Sequence, residues 1–214
     1  MTDNEDNIRD QLLDAALAHI PFDGWSRKSM DEANSDLSLA KGTVHRLFPR
    51  GPRDLLAWSS QRADQQMLQG LADTELSTLK IRERIALAVR LRVEADAPHR
   101  ECVARAAVWL ALPGHHVLAG RLLYATVDNM WHGIGDTSVD FNFYSKRALL
   151  AGVVSSTMLF WLQDENEDFA ATWAFLDRRI NDVLKIQKTK AQLGSLSEKL
   201  PFVGRALSAF SMQR

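Results

Sequence analysis

The chain has 214 residues, of which 46% are apolar and 25% are charged, and its formal net charge is −1. This length and composition predict a folded globular protein of one or two domains and exclude long disordered segments. The near-neutral charge removes the general basic excess that nucleic-acid-binding domains use against phosphates. The single cysteine, Cys102, excludes an internal disulfide and a zinc cluster, and it favours a reducing compartment.

The N-terminal residues MTDNEDNIRD are acidic where a secretory or transit peptide would be basic, so we predict no export signal and a cytoplasmic location. The longest uncharged run covers residues 148–163. Its 16 residues fall short of the roughly 20 that a membrane-spanning helix needs. This run is therefore predicted to be a core helix.

Apolar residues recur at helical spacing along most of the chain, whereas the alternation typical of strands is nearly absent. In chain order, helices are predicted over residues 8–20 (ended by Pro21 and Gly24), 29–34, 39–48, 52–71, around 81–89, 103–110 (closed by Pro113 and Gly114), 117–131, 148–162 and 169–186. The predicted fold is all-α, a bundle of eight or nine helices before the C-terminal tail. The predicted division is 1–58, 59–190 and the C-terminal tail, 191–214.

The C-terminal tail combines apolar residues at helical spacing with a basic surplus. Residues 185–214, which are the tail and the six residues before it, contain six Lys and Arg and one Glu, a net charge of +5. The apolar residues step by three and four positions: Leu193, Leu196, Leu200, Val203, Leu207 and Phe210. Such a helix is typical of binding to an anionic membrane surface. A helix that packs on a dimer partner or within the chain is the alternative, and Pro201 would kink or divide the helix.

Residues 41–56, KGTVHRLFPRGPRDLL, resemble the turn, recognition helix and following helix of the TetR repressor family. Lys41, Gly42, Thr43, Val44 and Phe48 occupy positions that the family keeps. The resemblance implies a TetR-like fold with a helix-turn-helix-like N-terminal part. In such repressors this helix lies in the DNA major groove.

DNA binding is nevertheless not expected for this chain. Residues 1–60 contain seven basic and ten acidic residues, although residues 37–53 alone carry a charge of +4. His45 replaces the family's aromatic residue, and the run Pro49 to Pro52 replaces its phosphate-facing lysine. We therefore predict a three-helix platform that supports the following domain, with a ligand-responsive repressor as the alternative function.

Several further sequence blocks resemble the lipid-binding accessory family of ubiquinone (coenzyme Q) biosynthesis, whose fold is TetR-like. The blocks are GW at 24–25, LFPRGPRDLL at 47–56, ALPGH at 111–115, TVDNMWHGIGDTSVDFNFYSKRALLAGV at 126–153 and FLDRRINDV at 175–183. They occur in order over nearly the whole chain. We identify the chain by this resemblance as a member of the family.

The resemblance implies a non-catalytic homodimer without a cofactor, which binds an isoprenoid quinone precursor in an apolar cavity. It also implies that the protein presents this lipid at the membrane to the di-iron hydroxylase that acts on demethoxyubiquinone. The residues that would bind the hydroxylase are Asp140, Phe143 and Tyr144. Phe143 replaces a tryptophan of better-known members, so the contact area would survive without the indole hydrogen bond.

The residues around this predicted partner site have the character of a protein interface. Phe141, Phe143 and Tyr144 lie close in sequence to acidic and basic side chains, which together give an aromatic centre with a charged rim. Core packing of the aromatics, with the acids as helix caps, is the alternative interpretation.

The lipid cavity is predicted between two apolar helices. Its candidate residues are Leu122, Leu123, Val127, Met130, Trp131, Leu150, Val153, Val154 and Met158. Methionine and tryptophan suit an irregular lipid site. A filled helical core would contain the same residue types, so the alternative stays open.

No residue pattern indicates catalysis. Asp128, His132, Asp136 and Asp140 recur every four residues, but Gly133 and Gly135 interrupt the helix that would align them on one metal. His115 and His116 are predicted to be polar residues at a helix start. A glycine-rich phosphate loop, a nucleophile elbow and a Glu-x-x-His iron motif are absent from the sequence.

Overall fold

The computed structural model describes the backbone of residues 2–135 and 142–199, and the side chains of residues 4–135 and 145–185. Every regular element within these residues is helical, which confirms the all-α prediction. The α-helices are α1 (Thr2–Asp23), α2 (Arg27–Asp36), α3 (Thr43–Leu47), α4 (Pro52–Ala72), α5 (Ile81–Asp96), α6 (Arg100–Ala111), α7 (His116–Gly133), α8 (Asn142–Trp161) and α9 (Ala170–Lys199). Short 3-10 turns, Leu76–Thr78 and Ala97–His99, precede and follow α5.

Helix α1 continues through Pro21, so the predicted stop at that residue is wrong. Proline has no N–H to donate to the carbonyl four residues earlier, which belongs to Leu17. The Cys102 thiol donates to this carbonyl instead, with the sulfur 3.3 Å from the oxygen. The helix therefore tolerates proline in its last turn and ends at Asp23, before Gly24 takes a φ of +67°.

The recognition-like helix α3 is shorter than predicted. The sequence suggested a helix over 39–48, but α3 covers only Thr43–Leu47. Ser38 and Gly42 both adopt positive φ, at 51° and 90°, and such left-handed residues cannot continue a right-handed helix. Helix α4 begins at Pro52 as predicted, because the first helical turn needs no amide donor there.

The last two helices extend beyond the predicted ranges 148–162 and 169–186. The sequence also predicts a helix start at the aromatic run Phe141, Phe143 and Tyr144, and α8 begins at Asn142, next to that start, while α9 extends to Lys199. Residues 191–199 of the C-terminal tail therefore continue α9, and residues 200–214 lie outside the described residues. The predicted boundary after residue 58 falls inside α4.

Two clusters of buried apolar side chains form the core. The first joins α1–α4 to α6 around residues such as Leu13, Ile20, Trp25, Leu55 and Cys102. The second joins α4, α5, α7, α8 and α9 around residues such as Met67, Val89, Met130, Val154 and Leu176. Helix α4 contributes to both clusters and so connects the two halves of the bundle. In the described part of the chain, none of the helices is long and apolar enough to cross a membrane.

Candidate functional site

A cavity of about 590 Å³ lies where the two apolar clusters meet. We call it the first cavity. Its walls come from α1 and from α4 to α8. Most of the lining is apolar: Leu17, Trp25, Leu56, Cys102, Val103, Ala106, Ala107, Leu110, Ala119, Leu122, Leu123, Val154, Met158, Leu159 and Leu162 belong to it. This size and lining are typical of sites that bind small apolar molecules.

The wall formed by α8 reaches the protein surface. Leu159 lines the first cavity, yet 57% of it is exposed. An exposed leucine at the edge of an apolar space gives an incoming hydrocarbon chain a continuous apolar path. The first cavity is therefore accessible from the side of α8.

A second cavity, of about 340 Å³, lies between α5, α7, α8 and α9. Its lining consists of Ile81, Ile85, Trp131, Lys146, Leu149, Leu150, Val153, Ile180, Val183 and Leu184. Lys146 places its ammonium group 5.6 Å from the centre of the Trp131 ring. This is a cation–π contact, so the second cavity has a positive charge at its wall.

The residues predicted to line a lipid site divide between these two cavities. Leu122, Leu123, Val154 and Met158 line the first cavity. Trp131, Leu150 and Val153 line the second cavity. Val127 and Met130 are 1% and 0% exposed in the second apolar cluster and line neither cavity. Lipid binding by these residues stays a prediction.

A buried ion cluster, formed by Asp64, Arg92 and Asp96, borders the first cavity. Arg92 Nε donates to Asp64 Oδ1 at 2.8 Å, and its Nη1 donates to Asp96 Oδ2. The side chains of these residues are only 4%, 9% and 13% exposed. Thr126 Oγ1 donates to Asp64 Oδ1 at 2.9 Å, and Asn129 Nδ2 donates to Asp64 Oδ2 at 3.2 Å.

Burial and charge pairing act together on this cluster. Burial raises the pKa of the Asp96 carboxyl, because it disfavours the charged form, while Arg92 opposes the rise. Burial also disfavours the charged guanidinium of Arg92, but Asp96 and Asp64 outweigh it and hold its pKa above the usual value.

Sequence reasoning missed this cluster. Asp64 and Arg92 are 28 residues apart, and nothing in the local pattern of either helix indicates that they pair. The available signal was the spacing of Arg92 and Asp96, four residues apart on α5, next to buried Val89 and Val93. A charged pair at the edge of an apolar helix face indicates either an interface or a polar group that faces a cavity.

Cys102 lines the first cavity as a buried, unreactive thiol. Burial raises the pKa of this thiol to about 11, so the nucleophilic thiolate is scarce near neutral pH. Its hydrogen bond to the Leu17 carbonyl fixes the sulfur in the wall. This environment suits packing rather than nucleophilic chemistry.

The predicted partner residues lie close in sequence to Arg147, through which α8 forms an ion pair with α7. Arg147 Nε lies 2.8 Å from Asp128 Oδ1, and His132 Nδ1 lies 3.4 Å from Asp128 Oδ2. Asp140 lies outside the described residues. Phe143 and Tyr144 belong to the first turn of α8, and their side chains are also outside the described ones. The role of all three in partner binding stays a prediction.

The predicted membrane-binding residues are mostly outside the described part of the chain. Leu196 belongs to the last turns of α9, although its side chain is not among those described. The others, Leu200, Val203, Leu207 and Phe210, lie beyond residue 199. Membrane binding by these residues is therefore untested.

Several basic side chains of the helix-turn-helix region pair with other groups of the same chain. Arg46 pairs with Glu5 of α1, and Arg50 Nε lies 2.8 Å from Asp54 Oδ1. Arg53 Nη2 donates to the Gly114 carbonyl oxygen at 3.2 Å. These pairs reduce the positive charge available to phosphates on the surface of α3 and the following loop.

The histidines considered as metal ligands have structural contacts. His115 precedes α7, stacks on Trp109 with 3.6 Å between ring centres, and has Nδ1 2.7 Å from the Trp109 carbonyl oxygen. His132 lies next to Asp128 as described above. Over the residues that the structure describes, no three His, Cys, Asp or Glu side chains are grouped to hold a metal ion.

This arrangement of helices around an internal cavity defines the class as an all-α protein with a TetR-like fold. The crystal structure of the TetR transcriptional regulator from Nitrosomonas europaea superposes with a TM-score of 0.69. The match covers 83% of this chain and 98% of the regulator, at 20% sequence identity. It confirms the predicted fold class.

Sequence relatives define the family within that class. The COQ9 family model matches residues 117–187, which include nearly all of α7, all of α8 and more than half of α9. The ubiquinone biosynthesis protein COQ9-B of Xenopus laevis is 32% identical over 205 residues, which cover 92% of this chain and 69% of the relative. The chain belongs to the COQ9 family.

Two mammalian relatives give the same assignment. The mitochondrial ubiquinone biosynthesis protein COQ9 of Rattus norvegicus is 32% identical over 92% of this chain, and that of Homo sapiens is 30% identical over 92%. The chain spans 65% of the rat protein and 64% of the human protein. These findings confirm the family predicted from the sequence blocks.

Proposed function

We propose that this protein is a non-catalytic accessory protein of ubiquinone biosynthesis that binds isoprenoid quinone intermediates in the first cavity. In this proposal it presents the bound lipid at the membrane surface to the demethoxyubiquinone hydroxylase. The observation that carries the lipid-binding part is the first cavity itself, about 590 Å³ of mainly apolar space with an exposed leucine at its edge. Its family membership supports the place in ubiquinone biosynthesis.

The proposal assigns no reaction to the protein. The Cys102 thiol has a pKa raised to about 11, and Asp128 is engaged by Arg147 and His132. The first cavity therefore offers shape and apolar surface, with the buried ion cluster as its charged border. Such a site suits a protein that holds a molecule for a separate enzyme to act on.

Delivery requires contact with a membrane and with the hydroxylase. We propose that the C-terminal tail binds the membrane, because its apolar residues and basic surplus suit an anionic surface. The relatives are named as mitochondrial proteins, and we propose that this chain lies peripherally on an inner membrane surface. We further propose that Asp140, Phe143 and Tyr144 bind the hydroxylase, and that the protein acts as a homodimer.

A ligand-responsive repressor is the second candidate, because a TetR regulator shares the fold. The internal pairs of Arg46 and Arg50 argue against it, since those charges are already compensated by Glu5 and Asp54. A repressor would shift duplex DNA in a gel, with an affinity that falls steeply as salt rises. We expect no such shift.

The first experiment is native purification of the full chain followed by mass spectrometry of the bound lipid. We expect a prenylated quinone, a precursor of one, or another isoprenoid to co-purify. Ala107→Phe places a ring in the first cavity, and Ala125→Phe makes the same change on the exposed face of α7. Lipid should be lost from the first variant and kept in the second. A chain that carries no lipid would contradict the proposal.

Two further measurements test delivery. Truncation after Lys190 should abolish flotation with anionic liposomes while leaving lipid extraction unchanged. Asp140→Lys and Tyr144→Ala should lower ubiquinone in cells without changing the helical content of the purified protein. Normal quinone profiles in both variants would contradict the proposed hydroxylase surface.

A further inference from the structure

The buried ion cluster places hydrogen-bonding groups inside a space that is otherwise apolar. Arg92, Asp96 and Thr126 all line the first cavity, while Asp64 lies behind Arg92 and accepts from it. Replacing buried ion pairs by apolar residues of similar volume is often neutral or stabilising, by about 1–4 kcal/mol. Stability alone therefore does not explain why Arg92 and Asp96 lie at this wall with Asp64 behind them, whereas a polar group of the ligand would.

Arg92 keeps donors that the protein does not use. Its Nε and Nη1 donate to Asp64 and Asp96. Among the described residues, no acceptor lies within hydrogen-bond distance of its Nη2. Guanidinium has five N–H groups and cannot lose its charge in a protein. Because Arg92 lines the first cavity and its Nη2 is not among the fully buried polar atoms, a ligand oxygen in this cavity could accept from Nη2.

The charges around Arg92 decide which oxygen can bind. Asp64 and Asp96 flank it, so the cluster carries one positive and two negative groups when both carboxyls are ionised. Of the other charged or titratable residues at the lining, Arg62 pairs with Asp14 at 2.6 Å, and His99 is exposed. A phosphate group would meet two carboxylates and a guanidinium that is already paired. A hydroxyl or ring carbonyl carries no charge to repel.

We propose that Arg92 binds the polar head of the lipid in the first cavity, and that Asp64 and Asp96 make this site select a neutral oxygen-bearing head over a phosphorylated one. The ligand class is therefore an isoprenoid with a hydroxyl, phenol or quinone head, bound with its hydrocarbon chain along the α6, α7 and α8 walls. This inference rests on the proposed function, because it places the lipid in the first cavity.

The test compares ligands that share one branched isoprenoid carbon skeleton. Delipidated full-length protein is titrated with geranylgeraniol, geranylgeranyl diphosphate and the hydrocarbon phytane, and binding is followed by tryptophan fluorescence and native mass spectrometry. The alcohol should bind at least tenfold more tightly than the diphosphate, a difference of about 1.4 kcal/mol, because the diphosphate would place its negative charge beside Asp64 and Asp96. Phytane should bind with an intermediate affinity that depends on the cavity alone.

Variants assign the effect to the cluster. Arg92→Lys keeps the charge but loses the planar arrangement of N–H donors. It should therefore weaken binding of the alcohol about tenfold and leave binding of phytane unchanged. Arg82→Lys, the same change at an exposed position of α5, is the matched control. Asp96→Asn removes one negative charge and should bring diphosphate affinity closer to that of the alcohol. Unchanged phytane binding shows in each case that the cavity is intact.

The outcomes separate this inference from the proposed function. Binding of phytane with equal affinities for alcohol and diphosphate, or an Arg92→Lys variant that binds the alcohol normally, would overturn the head-group assignment and leave lipid binding in place. Tighter binding of the diphosphate would also overturn it. Failure of all three ligands to bind would overturn the proposed function together with this inference.

Discussion

The two halves of the bundle differ in the lining of their cavities and in the placement of charge. In the N-terminal half, formed by α1–α3 and the start of α4, a cavity of about 350 Å³ has charged residues such as Arg27, Asp31 and Lys41 in its lining, and basic groups such as Arg46 and Arg50 pair at the surface. In the C-terminal half, formed by the rest of α4 and α5–α9, the helices surround two mainly apolar cavities and bury charged Asp64 and Arg92. One TetR-like fold thus combines an N-terminal platform that has a polar pocket with a hollow C-terminal half that has apolar cavities.

This difference shows that function in this fold depends on side chains rather than on the helical frame. The frame matches that of a transcriptional regulator over 83% of the chain. The recognition-like helix α3 is present, but its Arg46 pairs with Glu5 of α1. The hollow half gives the chain its candidate ligand site. Substitutions in both halves test whether the N-terminal half is only a platform and whether the hollow half is the binding unit.

The largest expected effect is at Trp25, where the two halves meet. Its ring is 5% exposed and lines the first cavity, and its Nε1 donates to the Cys102 carbonyl at 2.9 Å. Trp25→Ala should lower the free energy of unfolding by about 3–5 kcal/mol, because it removes a large buried side chain together with its hydrogen bond to the Cys102 carbonyl. Urea unfolding followed by circular dichroism measures the loss.

The half-buried Trp58 is the matched control. It donates to Asp10 at 2.9 Å and contacts Arg9, but it is not buried in either cluster. Trp58→Ala should cost clearly less than Trp25→Ala. Equal losses would contradict the view that Trp25 joins the platform to the hollow half.

The next effect concerns the reactivity of Cys102 in the shared wall. With a pKa of about 11, only about one thiol in a thousand is ionised at pH 8, against about one in four for an ordinary cysteine. Alkylation by iodoacetamide should therefore be about 100-fold slower than for glutathione. Mass spectrometry of the modified chain over time gives the rate.

Unfolding provides the control for this thiol. In concentrated urea the rate should rise to that of glutathione, because burial no longer raises the pKa. Fast alkylation of the folded protein would show that the wall between the two halves opens readily, which would weaken the description of the N-terminal half as a closed platform.

A smaller effect decides between the two cavities. Trp131 lines the second cavity, whereas Ala107 lines the first. If the lipid lies in the first cavity, Trp131→Ala should retain co-purifying lipid within about twofold of the unmodified chain, because truncation in the second cavity removes no contact with the ligand. The amount of lipid per protein chain is measured by extraction and mass spectrometry. Loss of lipid from Trp131→Ala, with retention in Ala107→Phe, would move the ligand to the second cavity.

The sequence predicted the fold better than it predicted the cavity, and α7 shows why. Helical spacing places Leu122, Leu123, Val127 and Met130 on an apolar face of α7. Of these four residues, only Leu122 and Leu123 line the first cavity. Val127 and Met130 pack fully in the core. Whether an apolar residue borders empty space depends on the volumes contributed by several helices, which local spacing does not contain.

Contacts between residues that are distant in the sequence could not be predicted for a related reason. The stop predicted at Pro21 follows from local chemistry, but Cys102 supplies the missing donor from 85 positions along the chain. The partnership of Asp64 with Arg92 likewise crosses from α4 to α5. The sequence blocks that resemble the family predicted a lipid cavity, whereas the charged residues in the cavity wall could be identified only from the three-dimensional structure.

The smallest expected effect tests the loop that closes the hollow half between α8 and α9. Asp164 accepts hydrogen bonds from the hydroxyl and amide of Thr172 and from the amide and side chain of Asn166. The Thr172 hydroxyl, followed by these other donors, lowers the pKa of the Asp164 carboxyl to about 2, although its partial burial opposes the shift. The ionised form is therefore favoured in the folded state.

A lowered folded-state pKa gives stability that is present above the unfolded pKa, near 4, and is lost as the pH falls toward 2. Asp164→Asn should therefore have a lower urea midpoint than the unmodified chain at pH 6. Between pH 5 and pH 2.5, the urea midpoint of this variant should fall less than that of the unmodified chain. Glu165→Gln, an exposed neighbouring change, should follow the unmodified chain. Parallel pH profiles for Asp164→Asn and the unmodified chain would show that this carboxylate does not stabilise the loop.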